Sequence, residues 1–211
     1  MEGDGRTLAI AWADVVEEMP IGDCFCFWAL TGGVVERIVD GRRQPVAGAP
    51  PSALITVSAG RIALAPVASS WQGSERPRAA PNGPVEVRDI NTGALITSVS
   101  PSGTVRALSL SGNRLATLVQ DGGTKRIDVW NVGDGKLLRP IVLPDRASPE
   151  IDLADRRLVW RSGRSIYVLN IETGASVFLF RSRLVPVGLS IEGRRVAWAA
   201  GRLLRAVAVS P

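Results

Sequence analysis

The sequence predicts an all-β chain built from one repeated unit, four short antiparallel strands in about 40 residues. Three observations predict it. A turn phrase recurs, an apolar run recurs ahead of it, and no amphipathic helical pattern of useful length interrupts the 211 residues. The phrase reads apolar residue, any residue, Asp or Asn, Ile or Val, any residue, Thr or Asp, Gly. It stands at Val87-Arg88-Asp89-Ile90-Asn91-Thr92-Gly93, at Val129-Trp130-Asn131-Val132-Gly133-Asp134-Gly135 and at Val168-Leu169-Asn170-Ile171-Glu172-Thr173-Gly174. A weaker copy, Phe27-Trp28-Ala29-Leu30-Thr31-Gly32-Gly33, lacks the Asp or Asn.

Each part of the phrase has a physical reason. Asp89, Asn131 and Asn170 carry short side-chain oxygens that accept hydrogen bonds from nearby backbone amides and so start a turn. Gly93, Gly135 and Gly174 supply the positive φ that a tight hairpin loop demands. Strand-like runs flank the turns at residues 85–88 and 95–99, 127–130 and 137–141, and 166–169 and 176–180. These six residues are therefore structural turn positions.

The second element opens on Arg and continues as an almost unbroken apolar run. Its copies begin at Arg6, Arg61, Arg114, Arg157 and Arg195. The runs do not alternate, which is how a strand covered on both faces reads. Trp160 and Trp198 occupy equivalent positions in two of them, predicting packing between units. Ahead of the last four runs lie further short strands at 54–58, 105–110, 150–154 and 187–190.

Four strands, A to D, with the second buried on both sides, make the blade of a β-propeller. The expectation is one domain, residues 1–211, of about five blades: 5–39, 53–99, 104–142, 150–180 and 186–209. The first lacks strand A and the last lacks strand D. That predicts either further blades upstream of Met1 or a second chain completing the array, since an open array exposes strand edges.

The phrase and its period resemble the WD-repeat-like and TolB-like superfamily of β-propellers, over residues 5–209. The departures are specific. The chain has no histidine, so the Gly-His pair of true WD repeats is absent, and their Trp-Asp ending survives only as Trp130-Asn131. The resemblance implies that B–C and D–A connections emerge on one face, and A–B and C–D on the other.

Composition narrows the function. Without histidine there is no imidazole base, His metal ligand or His pH switch. No apolar run is long enough to cross a membrane as a helix. No Gly-rich phosphate loop, nucleophile elbow or calcium loop is present. Cys24 and Cys26 would sit on one strand face about 6.5–7 Å apart, at or beyond disulfide reach, with no further ligands to complete a metal shell. They read as core fillers, and no cofactor or metal is expected. Lys plus Arg is 25 against 20 for Asp plus Glu, a net charge of +5. The arginines are scattered rather than clustered with aromatics, so nucleic acid is not the expected partner. The N-terminal residues carry no export signal, so the chain as written reads as cytoplasmic, or as exported if a signal segment lies upstream.

Long loops on a rigid scaffold are where binding concentrates. They are expected at 14–23, 40–52, 66–84, 143–149 and 181–186. The 66–84 segment carries Trp71, Arg76 and Arg78. One reading makes Trp71 an exposed aromatic anchor beside arginine. The other makes the segment a low-complexity insertion with Trp71 tucked onto its own blade. Arg42, Arg43, Arg146, Arg161, Arg164, Arg181 and Arg183 fall on the same expected face. They form a basic rim for an acidic partner, polysaccharide or phosphate, or else plain solvated loop charges. Asp14, Glu17, Glu18 and Asp23 add acid to that face. The favoured function is a non-catalytic binding scaffold presenting its loop face to a protein or other macromolecular partner. The alternatives are a propeller hydrolase or lyase using channel carboxylates, with Glu150 and Asp152 the candidates, or a truncated fragment without independent function.

Overall fold

The computed structural model describes residues 2–3, 7–18, 27–73, 76–144 and 146–209. Arg6, Asp23, Cys24 and Cys26 lie outside the described residues. The described strands form five antiparallel sheets with no helix among them. The chain divides into two units, residues 1–105 with 132–135, and residues 106–131 with 136–211.

The first unit holds two sheets. Sheet one orders β1 (Glu2–Gly3), β2 (Leu8–Glu18), β3 (Phe27–Val39) and β4 (Arg42–Pro45). Sheet two orders β5 (Ser52–Ser58), β6 (Arg61–Pro66), β8 (Val85–Asp89) and β9 (Leu95–Val99). The short strand β7 (Ser70–Gln72) leaves sheet two and pairs with β3. One apolar cluster of this unit packs Ala9, Val35, Val46, Val57, Ile62, Leu64 and Ile90. The non-alternating run at 62–65 is buried throughout, as a strand covered on both faces must be.

Three expectations for the first unit need correction. The first sheet does not lack its first strand, because the two residues of β1 pair antiparallel with Leu8 and Ala9 at the start of β2. Residues 27–33 form no turn: β3 runs unbroken through them, and the chain reverses instead at Asp40–Gly41, both with positive φ. The Asp or Asn that starts the other turns is absent here. Ala13 pairs with Gly33 and Asp14 with Gly32, while Thr31 is bulged out of register. The Thr31 hydroxyl donates to the Asp14 carbonyl at 3.0 Å. Gly33 is required for close approach, since a Cβ there would lie 2.5 Å from the Trp12 carbonyl oxygen. Residues 14–18, expected as loop, accordingly continue β2.

The second unit contains most of sheet three, β10 (Thr104–Ser111), β11 (Arg114–Asp121), β12 (Thr124–Asn131) and β13 (Leu137–Leu143). Sheet four orders β14 (Ala147–Ala154), β15 (Arg157–Ser162), β16 (Ser165–Asn170) and β17 (Ser176–Arg181). Sheet five orders β18 (Val187–Glu192), β19 (Arg195–Ala200) and β20 (Leu203–Ala208). Two apolar clusters join these sheets face to face. One packs Leu118, Ile127 and Val129 with Leu158, Trp160 and Leu169. The other packs Val159, Ile166 and Val168 with Leu189, Val196 and Trp198.

Two of the hairpin turns are held by a side chain of the repeated phrase. The Asp89 Oδ1 accepts from the Asn91 and Thr92 amides at 2.9 and 2.8 Å. The Asn170 Oδ1 accepts from the Glu172 and Thr173 amides at 2.9 and 3.3 Å. At the third turn the Asn131 amide donates to the Lys136 carbonyl at 2.9 Å.

Candidate functional site

Sheet four gathers arginines at one end by register alone. Ala147 pairs with Ser162, Ser162 with Ser165, and Ser165 with Arg181. Arg146 therefore enters, Arg164 turns and Arg181 leaves at the same end of the sheet. The turn is a two-residue loop, Gly163–Arg164, with Gly163 at φ 56°. Glycine at the first loop position is what such a hairpin selects, and it places a side chain at the tip through the second position.

The three arginines, with Ser162, Gly163 and Ser165, line a cleft of about 430 Å³. Its walls are fixed by backbone and side-chain bonds. The Ser182 amide donates to the Arg164 carbonyl at 2.9 Å, and the Ser162 hydroxyl donates to the Arg146 carbonyl at 3.4 Å. Among the described residues, no carboxylate pairs with the guanidinium of Arg146, Arg164 or Arg181. Three cations with no carboxylate partner among the described residues, around one concavity with two hydroxyls beside them, suit the recognition of carboxylate or phosphate oxygens.

The other arginines expected on this face have different places. Arg161 donates to the Glu150 carboxylate at 2.7 Å and to the Gly163 carbonyl at 3.2 Å, which ties it to the sheet and braces the turn. Arg183 is exposed one residue beyond Ser182, outside the cleft lining. In the first unit, Arg42 and Arg43 lie in β4 rather than in a loop, and the Arg43 guanidinium sits 5.8 Å from the centre of the Trp12 ring. Arg76 and Arg78 are exposed. Trp71 is not the exposed anchor of the functional reading: it is 6% exposed. Nor does it sit on its own blade, since it pairs with Trp28 of sheet one.

Glu150 and Asp152, the two carboxylates considered for a channel site, both have partners. Glu150 takes the Arg161 ion pair. Asp152 accepts from the Ser109 hydroxyl at 2.9 Å, the Leu153 amide at 2.9 Å and the Ile191 amide at 2.7 Å, and so bridges sheets three, four and five. At the Asp89 turn, the Thr92 amide above all holds the carboxyl below its ordinary pKa. Partial burial opposes this, while the Thr92 hydroxyl, the Asn91 amide and Arg37 add to it.

Sequence reasoning missed Ser162 and Ser165. The signal was available in Ser162-Gly163-Arg164-Ser165, a Gly-X pair between strand runs, which fixes both serines as cross-strand partners beside the tip.

No protein-family model matches the sequence, and no curated protein matches it. Solved structures do match. In the complex of KlAtg21 with the coiled coil of AgAtg16, the matched chain gives a TM-score of 0.57 at 12% identity, over 94% of this chain and 66% of that one. BamB from Moraxella catarrhalis gives 0.54 at 11% identity, over 91% of this chain and 56% of its own. The fold is a β-propeller. The computationally designed Ika4 protein gives 0.52 at 18% identity, over 77% of this chain and 95% of the designed one. This chain thus spans less than two thirds of the KlAtg21 and BamB propeller chains.

Proposed function

We propose that this propeller is a non-catalytic binding module whose Arg146, Arg164 and Arg181 cleft receives an acidic segment of a protein partner. The observation that carries this reading is the set of three guanidinium groups, unpaired among the described residues, around one cleft of about 430 Å³. Leu184 and Val185, both exposed, follow the cleft in sequence and add apolar contact to the cationic one. The KlAtg21 match is itself a protein–protein complex.

A blocked, fluorescein-labelled hexaglutamate peptide tests the reading by anisotropy. Binding is expected to weaken as salt rises from about 0.05 M to about 0.3 M, because partly exposed pairs are screened. The triple variant Arg146→Ala, Arg164→Ala, Arg181→Ala should keep the thermal midpoint and weaken binding about tenfold or more. Equal binding by the triple variant would refute the assignment.

A further inference from the structure

The arginine cleft has an apolar neighbour. A second cleft, of about 440 Å³, is bounded by the end of β13 and by sheet four, and Ile141, Val142, Pro144, Trp160 and Tyr167 line much of it. Ser162 lines both clefts, so the two adjoin at that residue. All of these residues belong to the second unit.

Register explains the junction. Trp160 pairs with Tyr167, and Tyr167 with Phe178, across three adjacent strands. The Trp160 and Tyr167 rings stack with their centres 4.5 Å apart, and the Phe178 ring meets Tyr167 edge-on at 5.8 Å. Two residues further along β15 and β16, Ser162 pairs with Ser165, and a register shift in β17 brings Arg181 opposite Ser165. Directly paired residues share a face of a sheet, as do residues two apart in a strand. An aromatic row and a row of two hydroxyls and a guanidinium therefore lie side by side on one face of sheet four, about 6.5 Å apart.

The lining of the second cleft favours an apolar side chain over a sugar. Its polar side-chain atoms are few and mostly engaged. The Ser176 hydroxyl accepts from the Trp160 indole at 3.1 Å, and the Ser162 hydroxyl donates to the Arg146 carbonyl at 3.4 Å. A sugar would leave hydroxyls unmatched there, whereas a ring or an aliphatic chain has none to match. Val142 is 72% exposed, so an apolar wall of the cleft faces solvent rather than the core.

We infer that the partner's acidic segment also carries an aromatic residue, seated in this apolar cleft two positions from an acidic residue that reaches the arginines. The inference rests on the reading of the arginine cleft as the site of an acidic segment. In an extended segment, residues two apart point the same way and stand about 6.5 Å apart, which matches the separation of the two rows. The ring packs against Tyr167 and Val142, where an aromatic contact adds to apolar burial. The carboxylate then falls beside Arg164 and Arg181.

The probe is the blocked peptide Glu-Ser-Phe-Ser-Glu, whose symmetry presents the same spacing in either direction. Its controls are Glu-Ser-Ala-Ser-Glu, which lacks the ring, and Ser-Glu-Phe-Glu-Ser, which turns the acids to the opposite side. Titrations followed by the methyl resonances of Ile141 and Val142 give both affinity and place. The alanine peptide should bind about tenfold more weakly and the rearranged one about fivefold more weakly. Val142→Asn should shrink the Phe/Ala difference to about threefold, and the exposure of Val142 lets the fold tolerate the change. Equal binding by either control, or ring-dependent shifts that miss Ile141 and Val142, would overturn the inference. Hexaglutamate separates this failure from that of the reading beneath it. If hexaglutamate binds through the three arginines while the ring adds nothing, the arginine cleft stands and the inference falls. If the triple arginine variant binds hexaglutamate as the wild type does, both fall.

Discussion

Replacing Asp152 by Ala should destabilise the second unit far more than an ordinary surface change. The carboxylate stands between three sheets. One oxygen accepts from Ser109 of β10 and from the Leu153 amide, and the other accepts from the Ile191 amide of β18. Ser109, Leu153 and Ile191 are all buried. The Leu153 amide keeps a second acceptor in the Ser109 hydroxyl at 2.8 Å, so Ile191 is the amide left without one. A hydrogen bond to a charged acceptor contributes about 1.5–3 kcal/mol, and a stranded buried donor costs a similar amount. The loss for Asp152→Ala should therefore be about 3 kcal/mol. That corresponds to a fall of about 6–12 °C in the thermal midpoint for a chain of this size. Asp152→Asn keeps one oxygen for Ser109 but turns a donor toward Ile191, and should lose about half as much. Urea unfolding gives the totals, and hydrogen exchange at the Ile191 amide locates them. The reasoning fails if Asp152→Ala costs less than about 0.5 kcal/mol, or if Ile191 exchange is unchanged.

Three further outcomes follow from particular contacts. Gly33→Ala should cost about 2 kcal/mol or more in urea unfolding, because Gly33 has φ 146° and a Cβ would meet the Trp12 carbonyl oxygen at 2.5 Å. Thr117→Val should cost about 1–3 kcal/mol, because the buried Trp130 indole donates to the Thr117 hydroxyl at 3.1 Å and would be stranded. Asp89 has a folded pKa below its ordinary value. Its contribution is therefore present above the ordinary carboxylate range and lost as pH falls through the folded value. Urea titrations on the acid side should show that loss in the wild type and not in Asp89→Asn, which keeps the Oδ1 acceptor.

What the sequence made legible was local. A hairpin turn is specified within seven residues, because the acceptor, the amides it binds and the positive-φ glycine are neighbours in the chain. The doubly buried strand was legible for a similar reason: a run without alternation leaves no polar face to put in water. The first sheet was less legible. Gly33 looks like a turn glycine in sequence and is instead a close-approach glycine inside a strand, a distinction set by the strand it opposes. The arginine cleft shows the same divide. Arg146, Arg164 and Arg181 were visible as loop arginines. Their convergence depends on the register Ala147–Ser162–Ser165–Arg181, and Arg161 differs from them because Glu150 lies within 2.7 Å. Trp71 misled for a related reason, since its partner Trp28 is 43 positions away on another sheet.

The paired tryptophans turn that divide into a measurement. Trp160 and Trp198 are indistinguishable by position in the repeat, both are buried, and both pack against a neighbouring sheet. They differ in what the indole N–H meets. Trp160→Phe breaks the bond to Ser176 and alters a stacked contact with Tyr167, whose ring centre is 4.5 Å away. Trp198→Phe removes a buried donor that has no acceptor among the described residues. Both changes lose similar apolar area, so the area contribution largely cancels in the comparison. Trp198→Phe should therefore cost at least about 1 kcal/mol less than Trp160→Phe in urea unfolding. Equal costs would mean that the Trp198 indole is satisfied in solution by a group within the chain or by water. The two indoles would then be alike in energy as they are in position. An unequal result separates the contribution of the Trp160–Ser176 hydrogen bond from the packing that both rings share.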